Sequence, residues 1–203
     1  MRRSKTREDR GTFLRPHAFA SMEEIVRKAR AFAVEAHGAQ RRKYEDVPYV
    51  VHLDRVVALL EEHGFNAPPL LAAAYLHDVV EDTSATMHDV FDAFGPDVAE
   101  LVYWLTDAEQ GNRRIRKIMS AWRLSRAPIE AKLIKLADFA DNTPSIVERD
   151  PAFAKVYLAE KRYILDEMAR VEGTRFSDSL LFKVAESGIR ASRPKTLAQT
   201  TEE

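Results

Sequence analysis

Four of the six residues in His77-Asp78-Val79-Val80-Glu81-Asp82 can bind a metal or move a proton. On a helix, Asp78, Glu81 and Asp82 would share one face, because residues three and four apart are neighbours there. Three carboxylates so placed repel one another unless a cation or several basic partners relieve them. Three other segments hold ionisable groups: Pro48-Tyr49-Val50-Val51-His52, Lys135-Leu136-Ala137-Asp138-Phe139-Ala140-Asp141-Asn142, and Arg41-Arg42-Lys43. Alone, each has an ordinary reading: a hydrogen-bonded interior His, a capping or surface Asp, a solvated basic loop. Taken together, His52, His77, Asp78 and Asp138 form a mixed nitrogen and oxygen set suited to one borderline-to-hard divalent ion with positions left for water. Manganese is the first choice, with iron and zinc open. Such an ion activates water and polarises phosphoryl oxygens, and a nearby carboxylate can take the proton.

Composition narrows the chemistry. The 203 residues contain no cysteine, which removes thiolate catalysis and Cys-ligated metals. The net charge of −1 gives no global field for a polyanion, so nucleic acid is not the expected partner, and positive potential for a phosphate must be local. The apolar run Leu70 to Leu76 is too short to cross a bilayer, and the start Met-Arg-Arg-Ser-Lys lacks the apolar core of a secretory signal. A cytoplasmic location without membrane attachment is therefore expected. Oligomeric state is not legible.

The elements that must position these groups read as helices. Residues 1–19 form a basic tail, expected to be flexible and solvated rather than a phosphate-binding arm, 20–190 one domain, and 191–203 a disordered tail. Ser21 and Glu24 suggest a capping box for a helix that buries Ile25, Ala29, Phe32, Ala33 and Ala36 and stops at Gly38. Pro48 opens a helix to Gly64; a third, apolar nearly all round, begins at Pro68-Pro69 and runs into His77-Asp78. Thr86 with Asp89 caps the next, and Pro96 opens one to Thr106. Residues 111–126 are too basic for a confident buried element. A buried helix from Pro128 should end between Asp138 and Pro144, because a proline disfavours helical dihedrals in the residue before it. A long helix at 150–171 and a weaker one at 177–189 complete an all-α fold. His37, His63 and His88 read as surface or helix-end residues, Trp104 and Trp122 as packing residues.

His52, the doublet His77-Asp78 and the distant Asp138 match the H…HD…D signature of HD-domain phosphohydrolases, an all-α HD-domain helical bundle. With Gln40-Arg41-Arg42-Lys43, Pro48-Tyr49-Val50-Val51-His52, Leu76 to Thr83, and Lys135 to Asp138 with Asn142, residues 20–170 resemble the hydrolase domain of RelA/SpoT enzymes, in particular the stand-alone small alarmone hydrolases. The resemblance implies hydrolysis of the 3′-pyrophosphate of guanosine tetra- or pentaphosphate to GDP or GTP and pyrophosphate. It implies metal ligands His52, His77, Asp78 and Asp138, with manganese as cofactor. Glu81 and Asp82 would act on the attacking water and leaving group, and Arg42, Lys43 and Asn142 would hold the nucleotide. Leu53, Phe139 and Asp141 depart from the family's usual pattern around the nucleoside or phosphate pocket. They bear on substrate identity, so an HD phosphohydrolase acting on an adenosine alarmone, NADPH or a nucleoside phosphate is the alternative. A non-catalytic, antitoxin-like binding protein is a further rival, against which the intact metal set argues.

Overall fold

The computed structural model describes residues 22–191, which form eleven helices: α1 Met22–His37, α2 Val50–Glu62, α3 Pro68–Leu76, α4 Val79–Asp82, α5 Met87–Phe94, α6 Pro96–Leu105, α7 Arg113–Arg126, α8 Ile129–Arg149, α9 Pro151–Glu172, α10 Thr174–Ser177 and α11 Leu180–Ala191. No strand occurs among the described residues; the only bridge there joins Arg41 to Pro48 and closes the loop before α2. Ser21 and the tails at 1–19 and 192–203 lie outside the described residues. No helix among the described residues is long and apolar enough to cross a membrane.

α3 is the axis of the core. Every residue from Leu70 to Leu76 is buried, and the helix packs against α1, α2, α6 and α8. Leu70, Leu71 and Leu76 each stabilise the fold by about 1.5–3 kcal/mol through burial. α1 meets it with Ala29 and Ala33, both fully buried, whose lack of bulk permits close approach. α5 starts at the expected capping box, with Thr86 accepting from the Asp89 backbone and Asp89 accepting from that of Thr86.

Three expectations about elements need correction. The third helix does not carry Asp78, Glu81 and Asp82 on one continuous face. It stops at Leu76, Asp78 adopts φ −107° and ψ −4°, and α4 restarts at Val79. Residues 113–126 do form a packed helix, lying against α9 through Ser120, Ala121, Leu124 and Ser125. Its cations do not prevent this, because Arg113 pairs with Glu160, Lys117 with Asp107, and Arg123 with Asp107 and Glu109. Pro144 does not end α8, which continues to Arg149. Its missing N–H forfeits one backbone bond, while the hydroxyls of Thr143 and Ser145 donate to the carbonyls of Phe139 and Asn142 in the same turn.

One single-residue expectation also fails. Trp122 is 53% exposed, with the Arg126 guanidinium 4.0 Å from its ring centroid, instead of packing in the core. His37 ends α1 as expected but is buried, stacked on Tyr49 at 4.4 Å and bonded to Gln40.

Candidate metal centre

Three parts of the chain converge on one point. His52 lies in the first turn of α2, His77 and Asp78 form the junction between α3 and α4, and Asp138 sits midway along α8. One donor atom from each of His52, His77 and Asp138 lies within 4.8 Å of the others, and all three residues are buried. His52 Nε2 is 3.5 Å from Asp138 Oδ1 and 3.8 Å from Asp78 Oδ2. His77 Nε2 is 3.0 Å from Asp78 Oδ2 and 3.9 Å from Asp138 Oδ1.

The tautomers of the two imidazoles follow from their outer contacts. His77 Nδ1 lies 2.7 Å from the Ala74 carbonyl, which can only accept, so Nδ1 carries the proton. His52 Nδ1 lies 2.7 Å from Asp141 Oδ2 and donates to that carboxylate. Both Nε2 atoms are thereby left facing the carboxylates, and neither makes a hydrogen bond of acceptable geometry. Buried nitrogens without partners are costly, and a cation between them and the carboxylates removes the cost. The electrostatics ask for the same charge. Burial alone would lower the His77 pKa, but Asp78 and Asp138 lift it to about 9, a proton serving where a metal ion would. Burial alone would raise the Asp138 carboxyl, yet Lys135 and the two histidines hold it near 2; Asp78 is also driven well below the ordinary carboxylate range, chiefly by His77 against the opposing effect of burial. The donor set thus fits a divalent ion.

Further side chains brace these four. The Tyr49 hydroxyl donates to Asp78 Oδ2, and Lys135 Nζ lies 2.9 Å from Asp138 Oδ2. Asn142 Nδ2 donates to Asp138 Oδ1, while Arg42 donates to Asn142 Oδ1 at 2.6 Å and to Asp141 Oδ2 at 3.4 Å. The Arg42 fork is thus nearly buried and engaged with the supports of the metal residues. The sequence assigned no bracing role to Tyr49, Lys135 or Asp141, and marked Asp141 only as a departure near the nucleotide pocket. Their signal lay in helical spacing: Asp138, Asp141 and Asn142 are three and four apart on α8, and Lys135 is three before Asp138.

The remaining expected residues separate. Glu81 is accessible as a residue, but its carboxyl accepts from the Asp107 backbone N–H, and burial, opposed by Lys135, raises its pKa to about 7. Asp82 is exposed and accepts from Gln40 at 3.4 Å. Lys43 is 76% exposed at its side chain, and its Nζ lies 2.9 Å from the Tyr44 hydroxyl and 3.9 Å from Asp150 Oδ2, turned to the loop rather than to the metal cluster.

The sequence pattern of the HD domain matches residues 29–169. The chain belongs to the HD-domain family. Among curated HD relatives, the protein of Drosophila melanogaster called guanosine-3′,5′-bis(diphosphate) 3′-pyrophosphohydrolase MESH1 is 40% identical over 122 residues, 59% of this chain and 68% of that protein. The Xenopus tropicalis protein of the same name is 38% identical over 116 residues, 56% of this chain and 65% of that one. A solved structure described as a metazoan orthologue of SpoT that hydrolyses ppGpp superposes with a TM-score of 0.73 at 31% identity, covering 82% of this chain and 94% of that one. His52, His77, Asp78 and Asp138, which meet at the candidate metal centre, all lie within the matched residues.

Proposed function

We propose that the protein is a divalent-metal-dependent hydrolase that removes the 3′-pyrophosphate of guanosine tetra- or pentaphosphate, leaving GDP or GTP. The observation that carries this reading is the pair of partnerless Nε2 atoms facing Asp78 and Asp138, in an HD-domain chain whose similar relatives are named for that reaction. His52, His77, Asp78 and Asp138 would hold one ion, with manganese favoured by the mixed nitrogen and oxygen donors. When bound, the ion supplies Lewis acidity at the phosphoryl oxygens and makes water a better nucleophile near neutral pH.

The chain's own residues supply the rest. Tyr49, Lys135 and Asn142 fix the carboxylates of Asp78 and Asp138, and Asp141 fixes the His52 ring. Glu81, titrating near 7, is matched to move a proton at neutral pH, with Asp82 one position further out. Arg42 and Asn142, which brace Asp141 and Asp138, would meet the nucleotide at the rim of the centre by exchanging those contacts, and Lys43 would meet it from the exposed loop. The substrate is small and phosphorylated, as the local cations require where the net charge of −1 supplies no field.

Product analysis with manganese tests the reading. GDP and pyrophosphate in equal amounts from guanosine tetraphosphate are expected, with loss of turnover on chelation and recovery on adding metal. Faster turnover of the adenosine analogue or of NADPH, or release of orthophosphate alone, would overturn the substrate assignment.

A further inference from the structure

One cation beside the candidate metal centre forms no ion pair among the described residues, and Asp138 and Asp107 act on it only from a distance. Lys161, on α9, makes no hydrogen bond or ion pair among the described residues, although its side chain is turned inward: Nζ lies 4.4 Å from the centroid of the Phe139 ring and 5.1 Å from that of Tyr157. The same Phe139 ring carries the Lys135 ammonium at 5.6 Å, so the two cations share a neighbourhood. Every acid that could answer Lys161 is already taken. Asp138 holds Lys135, Asp107 holds Lys117 and Arg123, and the adjacent Glu160 holds Arg113 through both oxygens. One turn before Lys161 on α9, the Tyr157 hydroxyl is buried and has no hydrogen-bond partner. A desolvated ammonium beside a second ammonium is destabilised, and burial first, then Lys135, lowers its pKa to about 8.

We infer that Lys161, with the Tyr157 hydroxyl, forms a phosphate subsite next to the metal centre, taking a phosphoryl group of the substrate other than the one undergoing attack. An anion fits because an unpaired ammonium and an unpartnered buried hydroxyl lie one turn apart on α9, and a phosphate because Lys135, whose ammonium shares the Phe139 ring with Lys161, is held to the candidate metal ligand Asp138. Lysine serves as a point charge with three donors, which suits a terminal phosphate. The inference rests on the hydrolase reading for the name of the substrate and not for the chemistry of the subsite.

The test is binding of GDP and of inorganic pyrophosphate, each measured by calorimetry on the manganese-loaded protein. Lys161→Met should weaken one of them roughly ten- to a hundredfold, the loss expected for one charge-assisted contact. Lys161→Arg should recover most of it, and the ligand affected identifies which end of the substrate is held. Unaltered binding of both ligands by Lys161→Met, or no binding of either by the wild type, overturns the subsite. A variant that only loses thermal stability, with binding intact, would show Lys161 to be a strut over its two rings. Turnover of guanosine tetraphosphate separates the two claims: a hydrolysing wild type with an unchanged KM in Lys161→Met sinks the subsite alone, and an inactive wild type whose phosphate binding depends on Lys161 sinks the substrate reading alone.

Discussion

Asp141 stands one hydrogen bond behind the imidazole of a candidate metal ligand. Its carboxylate receives the His52 Nδ1 proton and thereby aims the Nε2 lone pair at Asp138. Asp141→Asn keeps the shape but drops the charge that makes the imidazole a stronger donor, so metal affinity should fall roughly 10–100-fold; titration of the metal-free variant with manganese measures it, and unchanged affinity would remove Asp141 from the site. Glu81 gives a different prediction, because it touches no ligand atom. Glu81→Gln should retain stoichiometric metal yet slow turnover by roughly 10²–10⁴-fold. Its raised pKa also carries a sign. Between the ordinary 4.5 and about 7 the folded chain binds more protons than the unfolded chain, so this group makes the metal-free protein lose stability as pH rises through that window. Denaturant titrations at pH 5 and 7.5 should show that loss flattened in Glu81→Gln. The residues that met at the centre were legible because their types are chemically scarce: a buried His or Asp has few reasons to exist. Tyr49 and Lys135 were not, since Tyr and Lys are common at helix surfaces and only the fold shows that theirs face the carboxylates.

At the scale of elements, the junctions position the chemistry. The stop between α3 and α4 presents His77 and Asp78 from a corner, and Gly95 performs a comparable service between α5 and α6, ending one and starting the other at φ 82°. A Cβ at Gly95 would meet nothing within 4 Å, so Gly95→Ala isolates the backbone cost of that left-handed conformation. The expected loss is roughly 1–2 kcal/mol by urea denaturation, with turnover untouched; full stability would mean the junction relaxes. Punctuation by Gly and Pro was readable for α2, α3, α5 and α6. It misled at Pro144, because a proline removes one bond in a helix of 21 residues whose flanks are held by packing against α9 and α11. Residues 113–126 were missed for a related reason. Their buried strip is made of Ser, Ala and Leu, and the hydrophobic signal is diluted by arginines whose partners are remote in sequence.

Across the whole molecule, the candidate metal centre is where α2, the α3–α4 corner and α8 meet, so an ion there would tie together segments separated by tens of residues. Binding only to the folded state stabilises it by mass action, by about 2.7 kcal/mol when free metal is a hundredfold above its Kd. Chelation should therefore lower Tm and manganese restore it, while a Tm indifferent to metal would contradict an ion at this point. The all-α class was legible from the absence of period-two alternation, because helices advertise themselves over many residues. The burial of Arg42 was not, since its partners Asp141 and Asn142 lie a hundred residues away and only tertiary packing brings them together.

The two imidazoles of the centre differ in one respect with a long reach. His77 is oriented by the Ala74 carbonyl, a main-chain group that side-chain substitution leaves in place, and His52 by the side chain of Asp141, which a substitution can change. One ligand is thus set by the main chain and the other by a heritable side chain. A substitution at position 141 would therefore change the electron donation of His52 while the four candidate ligands, and the helices that carry them, stay as they are.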